Sequence, residues 1–253
     1  MTEKRFDGKT ALVTGAGTGI GREAAISYAR EGASVALLGR SATTLEATAE
    51  AIRSEGGDAL VVPTDVTQEA EVIDALRQLR AWRGGLDVAF NCAGTFTLAP
   101  IEEFDLDDWN AELALNLTGV FLAMKHEIRV MKEGAGGAIV NMASNLGAHM
   151  VVPGMAAYIA SKAAVSALTR ATAREVVGSG IRVNCVSAGP VDNPMSTRPG
   201  ETVEAKADRM RTIIPLGRAG YEKEIVSAVL WLSSIDSGYA VGHDMVLDGG
   251  ESL

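Results

Sequence analysis

A tyrosine and a lysine stand four residues apart, at positions 158 and 162 of the segment AAYIASKAAV. On a helix this spacing puts both side chains on one face, one turn apart. A free phenol has a pKa of about 10, so it works as an acid or base near neutral pH only beside a fixed positive charge. Lys162 can supply that charge. The pair therefore predicts a site that moves a proton to or from a carbonyl or alcohol oxygen.

Ser144 follows a predicted strand in the segment NMASNLG, where its hydroxyl can donate a hydrogen bond to the same substrate oxygen. An exposed helical pair is the alternative interpretation of a tyrosine and a lysine at this spacing. The serine upstream and a glycine-rich turn near the N-terminus disfavour that alternative. The side chains between the serine and the tyrosine are predicted to line the substrate pocket together with those two residues; they are His149, Val151, Val152 and Met155.

The glycine-rich turn lies between the first apolar run and an amphipathic stretch, in the segment TGAGTGIG. Strand, glycine turn and helix in this order are typical of a dinucleotide site, where main-chain N–H groups approach a pyrophosphate at the helix N-terminus. The spacing is Gly-x-x-x-Gly-x-Gly, and a purely structural tight turn is the alternative. The residues predicted to bind the cofactor here are Gly15, Gly17, Thr18, Gly19, Ile20 and Gly21.

The end of the second apolar run predicts which nucleotide is bound. An enzyme that selects NAD commonly carries an acidic residue at this place, to hold the ribose hydroxyls. Here Gly39 occupies the place, and Arg40 follows it with a guanidinium group that can bind a 2′-phosphate. We therefore predict that NADP(H) is preferred and that NAD(H) is also accepted. A solvated arginine at a helix start is the alternative interpretation.

Two further strand ends carry polar or small residues, at the sheet edge where open α/β proteins bind ligands. Asp65 and Val66 follow the third apolar run, and Asn91, Ala93 and Gly94 follow the fourth. All five are predicted to bind the cofactor. As alternatives, Asp65 would only cap the next helix, and Asn91 would only tie down the main chain at a strand end.

These residues need a scaffold, and the hydrophobic pattern predicts one. Seven short apolar runs alternate with amphipathic stretches, which is typical of a doubly wound α/β fold with a parallel sheet and helices on both faces. We predict a single Rossmann-type domain over residues 1–253. Two longer helices are predicted from Asp108 to Glu133 and from Ala156 to Val177, and Val72, Leu76 and Leu79 give a crossover helix its apolar face. Residues 190–220, with several prolines, are predicted to form a substrate lid, with a plain surface loop as the alternative.

Taken together, these motifs resemble the classical short-chain dehydrogenase/reductase family, from Lys9 to Gly250. The resemblance also includes the segments NCAG, ALNLTGVF, PLGRAG and VGHDMVLDGG. It implies a catalytic tetrad of Asn116, Ser144, Tyr158 and Lys162, in which Asn116 holds a water that links Lys162 to solvent.

The same resemblance implies contacts to the cofactor and to other copies of the chain. Asp65 would lie near the adenine, Asn91 along the cofactor cleft and Lys162 on the nicotinamide ribose. A homotetramer is implied, in which the two longer helices pack against those of neighbouring subunits. The segment from Pro190 to Met195 would lie on the carboxamide side of the nicotinamide, with Pro190 and Val191 as cofactor contacts.

Composition argues against several other classes of protein. A net charge of −9 disfavours binding to nucleic acid. No leader-like or membrane-spanning apolar segment is evident, which predicts a cytoplasmic protein without membrane contact. Cys92 and Cys185 are expected to be buried thiols, and the three histidines lack the spacing of metal ligands, so no metal site is predicted.

These patterns predict an NADP(H)-dependent oxidoreductase that acts on the carbonyl or secondary alcohol of a small molecule. The segments PLGRAG and DGG resemble those of 3-oxoacyl thioester reductases, which makes such a thioester one candidate substrate. One alternative is an NAD-dependent dehydrogenase of a sugar, polyol or other secondary alcohol. The other is a non-catalytic dinucleotide-binding scaffold, which the intact Ser144, Tyr158 and Lys162 disfavour.

Overall fold

The computed structural model describes residues 4–198 and 200–253, so residues 1–3 and Pro199 of the predicted lid lie outside the described part. Seven parallel strands form one sheet in the order β3-β2-β1-β4-β5-β6-β7. All seven predicted runs are strands, and the predicted single Rossmann-type domain is confirmed. The strands are β1 (Thr10–Thr14), β2 (Ser34–Gly39), β3 (Asp58–Pro63), β4 (Val88–Asn91), β5 (Gly137–Met142), β6 (Ile181–Ala188) and β7 (Asp244–Leu247).

The strands are apolar almost throughout because both faces of the sheet are covered. Successive side chains of a strand point to opposite faces. In β1, Val13 lies in one hydrophobic core and Leu12 in the other, and both are fully buried. The two cores lie on opposite faces of the sheet, which is why a parallel sheet of this kind lacks the alternation of a half-exposed strand.

The helices cover the two faces of the sheet. Val72, Leu76 and Leu79 of α3 are buried, which confirms the predicted apolar face of the crossover helix. No helix within residues 4–198 and 200–253 is both long and apolar enough to cross a membrane. The helices are α1 (Gly19–Arg30), α2 (Ala42–Ser54), α3 (Glu69–Arg83), α4 (Leu106–Leu113), α5 (Gly119–Lys132), α6 (Asn145–Ala148), α7 (Ala156–Val176), α8 (Val203–Ile213) and α9 (Glu222–Ser233).

The segment predicted as one helix from Asp108 to Glu133 differs from that prediction in two ways. It begins earlier, at Leu106, because the Asp105 side chain accepts a hydrogen bond from the main-chain N–H of Asp107 and caps the helix. It is also interrupted by a π-helical turn, Ala114–Thr118, between α4 and α5. Such turns insert one residue into a helix and occur frequently at functional sites.

The predicted lid is partly helical. It contains a 3₁₀ turn at Pro194–Ser196 and helix α8, whose Met210 packs with Ile214 and Ala219 in a small cluster separate from the two main cores. In α9, which follows the lid, the apolar residues are buried against the sheet, whereas Trp231 remains 37% exposed.

Candidate active site

A cleft opens at the carboxyl ends of β1, β2, β3 and β4, as expected for a dinucleotide site. Eight of its lining residues were predicted from the sequence: Gly15, Gly17, Thr18, Arg40, Asp65, Val66, Ala93 and Gly94. Five further lining residues have no signal in the sequence pattern, because only the fold brings them to the same wall as the glycine turn; they are Ser41, Thr44, Leu45, Thr64 and Leu115.

The glycine turn packs too closely to accept side chains. Gly15 has a φ of +68°, and a Cβ atom there would lie 3.0 Å from the main chain of Ala93. A Cβ atom on Gly21 would collide with the carbonyl oxygen of Gly15, and one on Gly17 would collide with the Thr44 side chain. The turn therefore brings main chain to the cleft wall, where a pyrophosphate can approach the N–H groups at the start of α1.

Asp65 lies in the cleft wall and does not cap the following helix. Its Oδ1 atom accepts hydrogen bonds from the main-chain N–H of Thr67 at 3.0 Å and from the Thr67 hydroxyl at 2.8 Å. Helix α3 begins at Glu69 with Gln68 at the N-cap position. The alternative interpretation of Asp65 as an N-cap residue is therefore wrong.

The Asn91 side chain does not line the cleft. Asn91 is the last residue of β4 and is 1% exposed. Its Nδ2 atom donates to Oε2 of Glu127 at 3.0 Å and to Oδ1 of Asn141 at 3.1 Å. The direction of this side chain in β4 points it under α5, so only its main chain can contribute to the cleft. Its partners are side chains, which also contradicts the alternative of a main-chain tie.

Tyr158 and Lys162 share one face of α7, as their spacing predicted. The Lys162 Nζ atom lies 5.7 Å from the centre of the Tyr158 ring and donates to the carbonyl oxygen of Met142 at 2.8 Å. Burial lowers the pKa of Lys162 to about 8, and the charge of Glu112 opposes this shift. The lysine is therefore poised to change charge near neutral pH.

The pKa of Tyr158 differs from the expected direction. Burial raises this pKa above its ordinary value, and a hydrogen bond with Ser144 opposes the rise. The lysine was expected to lower the pKa, but its ammonium group is bonded to Met142 at the end of β5. A phenol whose pKa is raised in this way is held in the neutral form, which is the form that donates a proton.

Ser144 lies where β5 turns into α6. Its hydroxyl oxygen accepts from the main-chain N–H of Leu146 at 3.1 Å and donates to the carbonyl oxygen of Ala188 at 3.4 Å. Gly147, with a φ of +149°, brings this turn against α7, and a Cβ atom there would lie 2.8 Å from the main-chain nitrogen of Ala163. The glycine thus allows the serine to approach the helix that carries Tyr158.

Asn116 lies in the π turn and is fully buried. Its Oδ1 atom accepts from the main-chain N–H of Thr95 at 2.9 Å, and its Nδ2 atom donates to the Thr95 carbonyl at 2.8 Å and to the Ser161 hydroxyl at 3.1 Å. A Cβ atom on Gly94 would lie 3.1 Å from Oδ1 of Asn116 and 3.5 Å from Nζ of Lys162. The main chain at Gly94 therefore passes directly over these two polar groups.

The four residues predicted to line the substrate pocket between Ser144 and Tyr158 differ in their surroundings. His149 pairs through Nε2 with Oδ2 of Asp244 at 3.0 Å, which ties it to the edge strand β7. Val151 is 70% exposed, while Val152 and Met155 are partly buried. Phe96 was not expected at the site, yet its ring meets that of Tyr158 edge-on with the centroids 6.1 Å apart. No local pattern marks Phe96, because its contact depends on how the loop after β4 crosses α7.

Comparison with known proteins identifies the arrangement. A family model described as "Enoyl-(Acyl carrier protein) reductase" matches residues 15–252. The chain belongs to the short-chain dehydrogenase/reductase family. It is 38% identical over 249 residues to a D-threitol dehydrogenase of Mycolicibacterium smegmatis, covering 98% of this chain and 95% of that protein. A glucose 1-dehydrogenase of Gluconobacter oxydans is 35% identical over 253 residues, covering 98% of this chain and 94% of that one.

Solved structures of this family have the same fold. A short-chain type dehydrogenase/reductase from Mycobacterium marinum superposes with a TM-score of 0.93 at 36% identity, covering 99% of this chain and 98% of that one. As a member of the short-chain dehydrogenase/reductase family, the chain is an NAD(P)-dependent oxidoreductase that acts on alcohols or ketones.

Proposed function

We propose that the protein is an NADP(H)-preferring oxidoreductase that interconverts a ketone and a secondary alcohol on a small, polar molecule. The observation that carries this proposal is the meeting of Tyr158, Ser144 and Lys162 beside the nucleotide cleft. The bound nicotinamide would supply or accept the hydride. In reduction, the Tyr158 hydroxyl donates its proton to the substrate oxygen, and Ser144 donates a hydrogen bond that orients the same oxygen.

Lys162 has two parts in this proposal. Its ammonium group would hold the nicotinamide ribose, and it would stabilise the phenolate that Tyr158 forms after giving up its proton. The lack of a side chain at Gly94 supports the first part, because Gly94 lines the cleft and a Cβ atom there would lie 3.5 Å from the Lys162 Nζ atom. A pKa of about 8, caused by burial, supports an exchange of protons between Lys162 and its surroundings near neutral pH.

Asn116 would support the supply of protons to Lys162. Both hydrogens of its side-chain amide are used, one toward the Thr95 carbonyl and one toward the Ser161 hydroxyl, and its Oδ1 atom accepts from the Thr95 N–H. We place the water of the proton relay at the main-chain carbonyl of Asn116, within the π turn, where the usual pattern of helical hydrogen bonds is interrupted. The relay is the one that the family resemblance implies, in which a water on Asn116 links Lys162 to solvent.

The preference for NADP(H) rests on the corner formed by the end of β2 and the start of α2. Gly39 offers no carboxylate to the ribose, and the Arg40 side chain is exposed. Its guanidinium group has no hydrogen-bond or ion-pair partner within the described ranges. The N-terminus of α2 adds the positive end of a helix dipole at the same corner, where Ser41 is the N-cap residue. The Arg40 guanidinium group and the N-terminus of α2 would together neutralise a 2′-phosphate.

A second candidate function is an NAD-dependent dehydrogenase of a sugar, polyol or cyclic alcohol. The names of the relatives favour this substrate class: besides threitol and glucose, one protein from Sinomonas cyclohexanicum, 38% identical over 247 residues, is a cis-4-hydroxycyclohexanecarboxylate dehydrogenase. A 3-oxoacyl thioester is suggested only by the segments PLGRAG and DGG. We therefore propose a polyhydroxylated or cyclic secondary alcohol as the substrate and keep the thioester as a comparison compound.

The proposal includes a lid, a homotetramer and a cytoplasmic location. Ion pairs hold the lid together as a unit, with Lys206 bonded to Asp192 at 2.9 Å and Arg209 to Glu201 at 2.7 Å. Exposed apolar side chains near the end of α9, including Trp231 and Ile235, support a subunit interface. Light scattering during gel filtration would test for the tetramer.

The experiment is a panel of ketones and secondary alcohols, read by the absorbance of the reduced nicotinamide with each cofactor. We expect turnover of at least one hydroxylated substrate and a higher kcat/KM with NADP(H). Tyr158→Phe should lower turnover by about two to four orders of magnitude while cofactor affinity is retained. Tyr239→Phe, on a fully exposed tyrosine, is the matched control. Cofactor binding without turnover of any compound would favour the non-catalytic scaffold instead.

A further inference from the structure

Glu112 of α4 is a buried carboxylate that the proposed reaction does not use. The residue is 1% exposed, and its Oε2 atom accepts a hydrogen bond from the main-chain N–H of Thr97 at 2.9 Å. Its Oε1 atom has no hydrogen-bond partner in the described part of the chain. Burying a carboxylate with an unpaired oxygen costs free energy that an apolar residue would not. Because the chain carries this cost, the hydrogen bond from Glu112 to the segment around Thr97 calls for a function.

Glu112 and Asn116 hold the same stretch of main chain. Asn116 binds both the N–H and the carbonyl of Thr95, at 2.9 and 2.8 Å, and Glu112 binds the N–H of Thr97. The residue between the two anchored positions is Phe96. Three hydrogen bonds from one helical segment thus fix the main chain on either side of the Phe96 side chain.

Phe96 in turn faces the reacting group. Its ring meets the Tyr158 ring edge-on, with the centroids 6.1 Å apart and the planes at 73°. An aromatic pair with this geometry is favourable beyond the apolar area that it buries. A change in the main chain at Thr97 would move Phe96 and alter the wall against which a substrate lies next to Tyr158.

We propose that Glu112 is a positioning residue of the active site, which holds the main chain at Thr97 so that Phe96 forms a fixed wall of the substrate pocket opposite Tyr158. This inference rests on the proposed function, because it assigns the wall of the same pocket. A substrate that fits this pocket has a flat or compact apolar side next to its reacting carbon. That side would lie against Phe96, and the hydroxyl groups of the substrate would point in other directions.

The charge of Glu112 has a second consequence. Burial raises the pKa of Glu112 itself above its ordinary value, and the hydrogen bond from Thr97 opposes the rise. In its ionised form, which is present in the alkaline range where Tyr158 loses its proton, Glu112 raises the pKa of Tyr158 and of Lys162. Cys92 and Cys185 have pKa values raised to about 12 by burial, so both thiols stay neutral over the working range. Removing the charge of Glu112 should therefore shift the pH dependence of alcohol oxidation, which needs the Tyr158 phenolate, to lower pH.

Two substitutions separate these effects. Glu112→Gln keeps an oxygen that can accept from Thr97 but removes the charge, whereas Glu112→Met removes both at similar length. Glu103→Gln, on an exposed carboxylate of the same connection between β4 and α4, is the control. We expect Glu112→Gln to change KM by no more than about twofold and to lower the pH of half-maximal oxidation. Glu112→Met should lower the pH of half-maximal oxidation by the same amount. It should also raise KM by about twofold to tenfold, because one hydrogen bond is lost.

Combining the Glu112 variants with Phe96→Ala tests whether Glu112 acts through Phe96. If Glu112 acts through Phe96, the rise in KM caused by Glu112→Met should disappear when Phe96 is already absent, which a double-mutant cycle measures directly. Additive effects on KM would overturn the proposal, as would an unchanged KM and pH profile in both Glu112 variants. Failure of the proposed function is distinguishable, because the unmodified protein would then show no turnover of any ketone or alcohol.

Discussion

Glu127 carries a prediction about stability that depends on pH. The residue lies on α5 and is fully buried, with Oε2 accepting from Nδ2 of Asn91 at 3.0 Å. Within the described residues, Oε1 of Glu127 and Oδ1 of Asn91 both lack a partner. A proton on the carboxyl group would supply the donor that the Asn91 oxygen lacks, so acid and amide would pair through two hydrogen bonds. Burial raises the pKa of Glu127 to about 8, which agrees with a neutral acid.

The size of the effect follows from the difference in pKa between the folded and unfolded chains. Below pH 4.5 the carboxyl is protonated in both states and imposes no pH-dependent cost. Between pH 4.5 and about 8 the unfolded chain loses its proton first, so the free energy of unfolding falls as pH rises. At 1.36 kcal/mol per pKa unit, about 3 kcal/mol of stability is lost between pH 5 and 8.

Glu127→Gln removes this dependence and keeps the pair, because a glutamine amide can donate to Oδ1 of Asn91 and accept from its Nδ2. We expect the variant to be about 3 kcal/mol more stable relative to the parent at pH 8 than at pH 5. Urea unfolding at pH 5, 6.5 and 8, at one protein concentration, measures the difference. Glu50→Gln, on an exposed carboxylate of α2, should show no such trend. A stability difference between Glu127→Gln and the parent that stays constant with pH would refute the reasoning.

Three further predictions concern ligand binding. Arg40→Ala should weaken the binding of NADP(H) at least about tenfold more than that of NAD(H), since it removes a charge-assisted hydrogen bond to the phosphate. Gly39→Asp should shift the cofactor preference to NAD(H). Equal effects on both cofactors in a binding titration would contradict the assignment. Gly94→Ala puts a methyl group 3.1 Å from Oδ1 of Asn116 and should weaken both cofactors in calorimetry, with an unchanged affinity as the contrary result. Hydrogen exchange over residues 203–213 should slow when cofactor and substrate bind, and equal rates in both states would count against a lid.

The sequence predicts the features of this chain that depend on local pattern. The strands follow from short apolar runs, and the pairing of Tyr158 with Lys162 follows from the helical repeat alone. The glycine turn is predicted because Gly15 and Gly21 lie where two stretches of main chain pack too closely for a side chain, which is a local requirement. In each case the information lies within a few residues of the feature.

The features that the sequence does not predict depend on contacts between distant segments. Asn91 and Glu127 are 36 residues apart, and a glutamate among the helical residues KHEIRV suggests an exposed position. Glu112 shows the same difficulty. His149 lies between Ser144 and Tyr158 in the chain, yet its ring pairs with Asp244 of β7, 95 residues further along. Only the folded arrangement shows which polar residues are buried and which partners hold them.

The buried polar contacts around the site follow one geometric rule. Asn91 meets Glu127, Thr95 meets Asn116, and Thr97 meets Glu112, so the chain after β4 runs antiparallel to the helical segment from α4 to α5.

The lengths agree, since the 15 residues of helix rise about 22 Å and six residues of extended chain span about 20 Å. The π turn lies between the two glutamates. Because that chain carries Gly94 and Phe96, the helix that supports it sets both the floor of the cofactor cleft and the wall opposite Tyr158.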